Sequence, residues 1–425
     1  MTLVLGTFLV VILLGAPIAV GMLTASVAYI LIEGVPLAIL TQRLTQSLNS
    51  FPLLAIPLFL LAGRILNEAG ITERIFRFAN NLVGSLRGGL GHVNVLASMI
   101  FAGMSGVAVA DIGGLGQVEV RAMNRAGYPR RFTAGITAAS AIIGPVIPPS
   151  IPLILYSVAG ETSMLALFAA GIIPGILIAV VLMISVYVYA RVKDLPVETP
   201  VAPKELATSF FAALPALFAP VLLIGGMLSG IFSPTEAAAV TVLYALILAL
   251  VFYRDIGIRD LPRLFLDVVP MVANLSFIIA SGMLFAWVLV IEQVPLTIVE
   301  FMTGFTGSSW LLLTIIVPAF LVIGLFVEAS IVFIVVAPML LPTVTAAGID
   351  EIHFGIITVI AMGIGMFTPP MGIALFMLKD LCGITFNEAA KSVLPFLAAL
   401  LMILAVITYV PDISLFLPRQ LGLTH

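Results

Sequence analysis

The sequence predicts an all-α polytopic membrane protein built as an inverted repeat, with two re-entrant hairpins and two helices broken at Pro-Pro pairs. Three observations carry this. Hydrophobic residues make up 62% of the 425 and charged residues 9%, against about a quarter charged in soluble domains; mean hydropathy is +1.26. That balance leaves too little polar surface to cover a water-soluble core. Charge-poor apolar stretches near the ~20 residues a bilayer needs recur throughout. Finally, a Pro-Pro pair recurs at 148–149 and 369–370, a shift of 221 residues.

The same composition excludes other classes. A net charge of -3, with no acidic or basic tail, gives no basis for a nucleic-acid partner. Cys382 is alone, so the chain has neither an internal disulfide nor a cysteine metal site. His92, His353 and His425 are far apart, and neither an HExxH nor a GxGD-type aspartate pair is present. An intramembrane enzyme is therefore not expected, and no cofactor is.

The N-terminal run MTLVLGTFLVVILLGAPIAV lacks a basic n-region and stays apolar to Ile32. It reads as membrane helix rather than signal peptide. Either one long helix covers 3–32 or two short ones break near Gly15–Pro17. Further spans are predicted at 51–66, 92–110, 133–157, 164–190, 209–231, 236–253, 266–291, 310–326, 329–347, 355–378 and 392–417. Two segments, 68–90 and about 295–308, precede the hairpins. The first is amphipathic enough to lie at an interface. Both suit arm-like connectors between a fixed and a moving part; an ordinary loop helix is the competing reading of the first.

Charged loops set the sidedness. Arginines cluster in 64–91 and in RAMNRAGYPRR (121–131), and basic residues also mark 191–206, 254–263 and 379–391. The positive-inside rule places these five loops in the cytoplasm. Loops such as 292–295 and 342–353 are acidic or short and belong outside. Segment 92–120 then enters from and returns to the cytoplasm, and 310–341 does the same from outside. Each is either a re-entrant hairpin or a pair of full crossings.

The shift of 221 residues lays GPVIPPSIPLIL (144–155) on GMFTPPMGIALF (365–376), and Ala126-Gly127 on Ala347-Gly348. The basic loop 121–131 maps onto 342–352, which has no lysine or arginine. Equivalent elements of opposite sidedness are what inversion predicts, and 209–231 supplies the odd crossing. The chain thus divides into a first repeat, 1–190 (hairpin 92–120, broken helix 133–157), a cytoplasmic linker and linking helix, 191–235, and a second repeat, 236–425 (hairpin 310–341, broken helix 355–378).

A Pro-Pro pair inside a span removes two backbone donors and frees carbonyls in the preceding turn. In a membrane such a break is tolerated only against protein or a water-lined cavity. Freed carbonyls suit Na⁺, and the N-terminus of the following half-helix suits a carboxylate. Gly144, Pro145, Pro148, Pro149 and Ser150 fit this scheme, as do Gly363, Gly365, Thr368, Pro369 and Pro370; a structural kink is the competing reading. The hairpin tips would be 103–106, with Gly103, Ser105 and Gly106, and 324–330, with Gly324, Glu328 and Ser330. Each serine hydroxyl is either a ligand or bonded to its own helix. Asp111 and Glu328 lie deep in apolar surroundings, where a carboxylate is expensive and so a functional candidate. Asp111 either caps the second half of its hairpin or binds an ion. Trp287, Trp310 and Tyr409 are expected as interfacial anchors.

These residues also resemble a family. FPLLAIPLFLLAGRILNEAG (51–70), LRGGLGHVNVLASMIFAGMSGVAVAD (86–111), AGYPRRF, IGPVIPPSIPLILYS (143–157), LFAAGIIPG (167–175), GIDEIHFGIITV (348–359) and FTPPMGIALF (367–376) are similar to the large membrane subunit of TRAP (tripartite ATP-independent periplasmic) transporters. The resemblance spans essentially the whole chain. It implies an elevator-type scaffold and transport domain in the bacterial cytoplasmic membrane. It also implies import of a small organic acid by Na⁺ symport, a separate small membrane subunit, and a periplasmic substrate-binding protein. The family's Na⁺ sites map onto 103–106, 144–149, 324–330 and 363–369. The chain departs from the pattern at Val107-Ala108-Val109 and Ala361, which leaves backbone carbonyls near Ser105, Gly144, Gly324 and Gly365 as the main ligands. A stand-alone Na⁺/dicarboxylate or citrate carrier shares this plan and is distinguished by independence from a binding protein. A channel would show flux without coupling.

Overall fold

The computed structural model describes residues 2–197, 199–305 and 308–424. Among the described residues the regular elements are all helical. Among these residues seven helices are long and apolar enough to cross a membrane, and six shorter apolar helices accompany them.

At the N-terminus α1 (Thr2–Leu13) and α2 (Ile18–Ile32) are separate helices packed on each other. Gly15, at φ +85°, and Pro17 make the turn between them. The two-helix reading of 3–32 is therefore the observed one. Next comes α3 (Leu37–Leu48), which the hydropathy pattern does not anticipate. Its sequence LAILTQRLTQSL mixes leucines with Thr, Gln and Arg43, so no charge-free window marks it. It lies along α14, and the Arg43 guanidinium sits 5.1 Å from the Trp287 ring centroid, a cation–π contact.

A 3₁₀ turn at 51–54 leads into α4 (Ala55–Glu68), followed by the amphipathic α5 (Ile71–Val83). The first hairpin is α6 (Gly89–Ser105), α7 (Ala108–Gly113) and α8 (Leu115–Arg125). The first broken helix is α9 (Arg130–Ala141) and α10 (Ile151–Gly160). Then follow α11 (Met164–Lys193), α12 (Pro203–Leu228), and α13 (Pro234–Ile247), which continues as a π-helical turn over 248–252. After α14 (Leu261–Ile291) comes α15 (Val294–Phe305); residues 306–307 of the predicted connector 295–308 fall outside the described residues, as does His425. The second hairpin is α16 (Ser309–Ile323), α17 (Ala329–Ile331), a π-helical stretch over 332–336, and α18 (Ala337–Ala346). The second broken helix is α19 (Glu351–Gly365) and α20 (Ile373–Cys382). The last predicted span, 392–417, proves to be α21 (Phe386–Tyr409) and a separate α22 (Asp412–Gln420), divided at Pro411.

Local chemistry explains several starts. Ser163 accepts from the Ala166 amide at 3.3 Å to open α11. Ser233 and Glu236 form a capping box at α13, and Thr385 and Glu388 form one at α21. Asp350 accepts from the amides of Ile352 and His353 at 2.8 and 3.2 Å to open α19. Each satisfies donors that a helix start leaves free.

The helices pack as two clusters. One joins α1–α4 with α12–α14. The other surrounds α11, against which α6, α10, α19, α21 and α22 pack. The connectors touch both: α5 packs on α6 and on α12, and α15 on α14 and on α18. Arg74 of α5 reaches Asp255 at 2.8 Å, while its guanidinium lies 4.0 Å from the Tyr253 ring centroid. Small residues let the backbones of the second cluster approach closely. Gly135 of α9 faces the Ser392 carbonyl of α21, and Gly355 of α19 faces the Tyr156 ring of α10. Tyr156 also donates its hydroxyl to the Glu351 carbonyl at 2.7 Å. These contacts bring Pro145 of the first break and Met366 of the second to one cavity. The first Pro-Pro pair is buried, whereas Pro370 and Met371 of the second break are exposed.

Candidate functional site

Each broken helix opens where the sequence predicts. The first break runs from Ile142 to Ser150 and the second from Met366 to Gly372, each with a cis Pro-Pro bond. Ser150 caps α10 by accepting from the Leu153 amide at 3.2 Å, and its hydroxyl donates to the Pro145 carbonyl. Thr368 donates to the Ile364 carbonyl at 2.8 Å, so its hydroxyl hydrogen is used by its own helix.

The hairpin tips meet these breaks. Gly106, at φ +66°, turns the first tip, and its carbonyl accepts from the Ile151 amide at 3.3 Å. A Cβ there would run into the Pro149 carbonyl, so both the left-handed backbone and the close approach require glycine. Gly103, one turn earlier, faces the Pro220 ring of α12. At the second tip Gly324 and Gly365 touch backbone to backbone: a Cβ on Gly365 would lie 2.8 Å from Gly324 Cα and equally close to the Leu321 carbonyl. Gly365→Val is expected to cost about 1–3 kcal/mol by overpacking. The check is the thermal midpoint of the purified protein; an unchanged midpoint would mean that tip and break do not touch.

Both tip serines donate to carboxylates. Ser105 donates to Asp111, and Ser330 donates to Glu328 at 2.7 Å. The capping reading of Asp111 does not hold, because its side chain caps neither α7 nor α8. Its carboxylate is 2% exposed and points across to Gly144, which has no Cβ to block it. One oxygen takes the Ser105 hydroxyl; the other, Oδ2, is buried without a hydrogen-bond partner. Pro148 lacks the amide that would serve the Gly144 carbonyl. The first break thus brings a half-satisfied carboxylate and a carbonyl freed by Pro148 to one place. The second differs. There the Thr368 amide serves the Gly365 carbonyl at 3.0 Å and the Ala374 amide serves Met366 at 3.1 Å. Glu328 also corrects expectation: it is half-buried rather than deep, and it lines the central cavity.

That cavity, about 440 Å³, is where the elements converge. Its walls include Val107–Ala110 and Glu328–Ser330 from the two tips, Pro145 and Gly363 from the two broken helices, and Asn274 from α14. The size suits a small organic molecule. Among the described residues its lining holds one formal charge, Glu328, and neither lysine nor arginine. A second cavity of about 210 Å³ lies on the other side of the first tip. Ser105 lines it, together with the Arg64–Asp267 ion pair at 2.8 Å.

Sequence reasoning missed a buried polar group in the first hairpin. Asn94 of α6 donates to Glu119 of α8 at 2.7 Å and to Thr137 of α9 at 2.9 Å, and Ser140 donates back to Asn94 at 2.7 Å. Glu119 is 1% exposed. It sits in GQVEVR beside the basic loop and so reads as solvent-facing. The four residues tie both hairpin arms to α9. A carboxamide, a carboxylate and two hydroxyls on facing helices form such a network only once the hairpin closes, and the sequence alone gives no sign of it.

The sequence matches the family model "Tripartite ATP-independent periplasmic transporter, DctM component" over residues 5–413. It is 38% identical over 406 residues to the sialic acid TRAP transporter large permease protein SiaM of Vibrio cholerae, covering 95% of each chain. It is 40% identical over 385 residues to the C4-dicarboxylate TRAP transporter large permease protein DctM of Pseudomonas aeruginosa, covering 91% of this chain and 90% of that one. It is 37% identical over 410 residues to the 2,3-diketo-L-gulonate TRAP transporter large permease protein YiaN of Escherichia coli, covering 96% of each. All are permeases, not enzymes. The apolar spans, the two tips closing on two Pro-Pro breaks, and these matches make one conclusion: the chain belongs to the DctM family of TRAP transporter large permeases, multi-pass proteins of the bacterial inner membrane.

Proposed function

We propose that this chain imports a small organic acid by Na⁺ symport, as the large membrane subunit of a three-part system. A separate small membrane subunit completes the membrane unit, and a periplasmic binding protein delivers the substrate. The relatives are named for sialic acid, C4-dicarboxylates and 2,3-diketo-L-gulonate, which differ in shape but share a carboxylate. The substrate class carried over is therefore a carboxylate.

One observation carries the Na⁺ coupling. The central cavity offers an anion no basic side chain and places Glu328 in its wall. An organic anion entering such a site meets like charge in a medium of low dielectric. A cation held at the adjacent first break, between Asp111 and the Gly144 carbonyl, offsets that charge and makes anion binding conditional on it. Na⁺ fits oxygen donors of this kind, and Gly106, Pro145 and Ser150 hold the surrounding backbone in place. The second tip and break, with Gly324, Ser330, Gly363 and Thr368, make the weaker of two related sites.

The inverted repeat and the elevator motion belong to the same proposal. The return arm of the first hairpin is split at Gly114 into α7, with 6 residues, and α8, with 11, so neither piece alone spans the hydrocarbon core. That favours a segment that turns back over two full crossings. The connectors α5 and α15, each packed on both clusters, are placed to let one move against the other.

Specific Na⁺ binding stabilises the folded protein by mass action, about 2.7 kcal/mol at a hundredfold excess over Kd. The thermal midpoint of the purified complex should rise in NaCl and not in equimolar KCl. Equal midpoints in the two salts would remove the Na⁺ site from the proposal.

A further inference from the structure

Another charged cavity lies away from the transport site. It measures about 490 Å³ and is lined by Arg130, Arg131, Tyr189, Lys193, Gly383 and Glu388, among others. Three of the five basic loops assigned to the cytoplasm meet in it: the end of 121–131, the start of 191–206, and 379–391. Its charge is uneven, with three cations against one carboxylate. Glu388 is already engaged by Arg131 at 2.8 Å. Arg130 donates to the Gly383 carbonyl at 3.3 Å, and among the described residues no carboxylate pairs with Arg130 or Lys193. Two cations are left facing one space. The amides that open α9 at Arg130 add to the same positive field.

The surroundings of the cavity point to an amphiphile. Lys193 ends α11, and just above it Ile184, Val188 and Val192, four residues apart, form an apolar stripe that is 57%, 55% and 74% exposed. Tyr189 lies against Phe132 and Phe396, with ring centroids 4.9 and 6.1 Å away, so the wall between stripe and cavity is rigid and aromatic. Basic pockets between membrane helices on the cytoplasmic side suit anionic lipid headgroups.

We propose that this cavity holds the headgroup of an anionic inner-leaflet phospholipid, phosphatidylglycerol or cardiolipin. The phosphodiester sits between Arg130 and Lys193, and the acyl chains lie along the Ile184–Val188–Val192 stripe of α11. Arg131 stays with Glu388 and fixes the start of α21. A bound lipid would join the cytoplasmic ends of α9, α11 and α21, elements of the cluster that carries both breaks.

The test is native mass spectrometry of the full chain with its small subunit, released from nanodiscs containing equal phosphatidylglycerol and phosphatidylcholine. Selective retention of phosphatidylglycerol is expected, with retention falling about 30-fold in Arg130→Gln/Lys193→Gln, from two basic contacts of the usual strength. Arg259→Gln, in a different cytoplasmic loop, should retain the lipid as the unaltered chain does. Equal retention of both lipids overturns the proposal, and this arm needs no variant to fold. Displacement of phosphatidylglycerol by excess inorganic phosphate would assign the cavity to a soluble phosphate and overturn the lipid reading. Unchanged retention in the double variant would place the lipid elsewhere.

Discussion

Asp111→Asn should raise the Na⁺ concentration for half-maximal uptake by at least about 10-fold, since loss of even an outer-shell partner of a metal site typically costs about 10- to 100-fold. The amide has the same shape and still accepts from Ser105, so the first tip keeps its geometry. What goes is the charge, on a group that is 2% exposed with one oxygen unpartnered. Burying an unpaired carboxylate is costly, so the variant should be at least as stable as the original chain. Loss of coupling with retained or increased thermal stability separates cation binding from a structural role. Na⁺ activation unchanged from the original chain would leave Asp111 a positioning residue of the hairpin.

Pro148→Ala/Pro149→Ala carries the second large effect. Each proline disfavours helix by about 3 kcal/mol relative to alanine, so the pair biases this segment strongly against a continuous helix. The substitution restores amides facing the Gly144 and Pro145 carbonyls. A helix running through the break would close the proposed cation site and pull Ser150 away from Pro145. Uptake should fall at least tenfold while the protein still inserts. The equivalent change, Pro369→Ala/Pro370→Ala, should be milder for Na⁺ activation, because the Gly365 and Met366 carbonyls are already served by the Thr368 and Ala374 amides. Equal loss in both pairs would contradict the asymmetry between the breaks.

Much of the architecture is legible in the sequence, for physical reasons. A span must be apolar over its whole length, so α11, α12, α14 and α21 stand out whatever their neighbours. Pro-Pro pairs cannot continue a helix, so both breaks are written directly. The failures share one cause: they depend on what lies opposite. The helix α3 carries Thr, Gln and Arg43 and is held by α14, so no hydropathy window reveals it. Glu119 looks like part of a solvated basic loop, yet Asn94, 25 residues earlier in the chain, meets it because the hairpin folds back. Asp111 precedes IGGLG as a cap would, but the missing Cβ of Gly144 draws it to the break instead. Glu328 sits in an apolar run yet faces a cavity, because the second tip opens at Gly324.

The central claim is that Na⁺ at the first break and a carboxylate in the adjacent cavity are coupled, and that the substrate arrives on a binding protein. The direct measurement is uptake into proteoliposomes holding this chain and its small subunit, under an inward Na⁺ gradient. Sialic acid, C4-dicarboxylates, keto acids and sugar acids would be offered with and without the cognate binding protein. Accumulation of one acid that needs both Na⁺ and the binding protein is the predicted result. Na⁺-driven uptake without the binding protein would make this a stand-alone carrier, and uptake indifferent to Na⁺ would contradict the coupling assigned to Asp111 and Gly144.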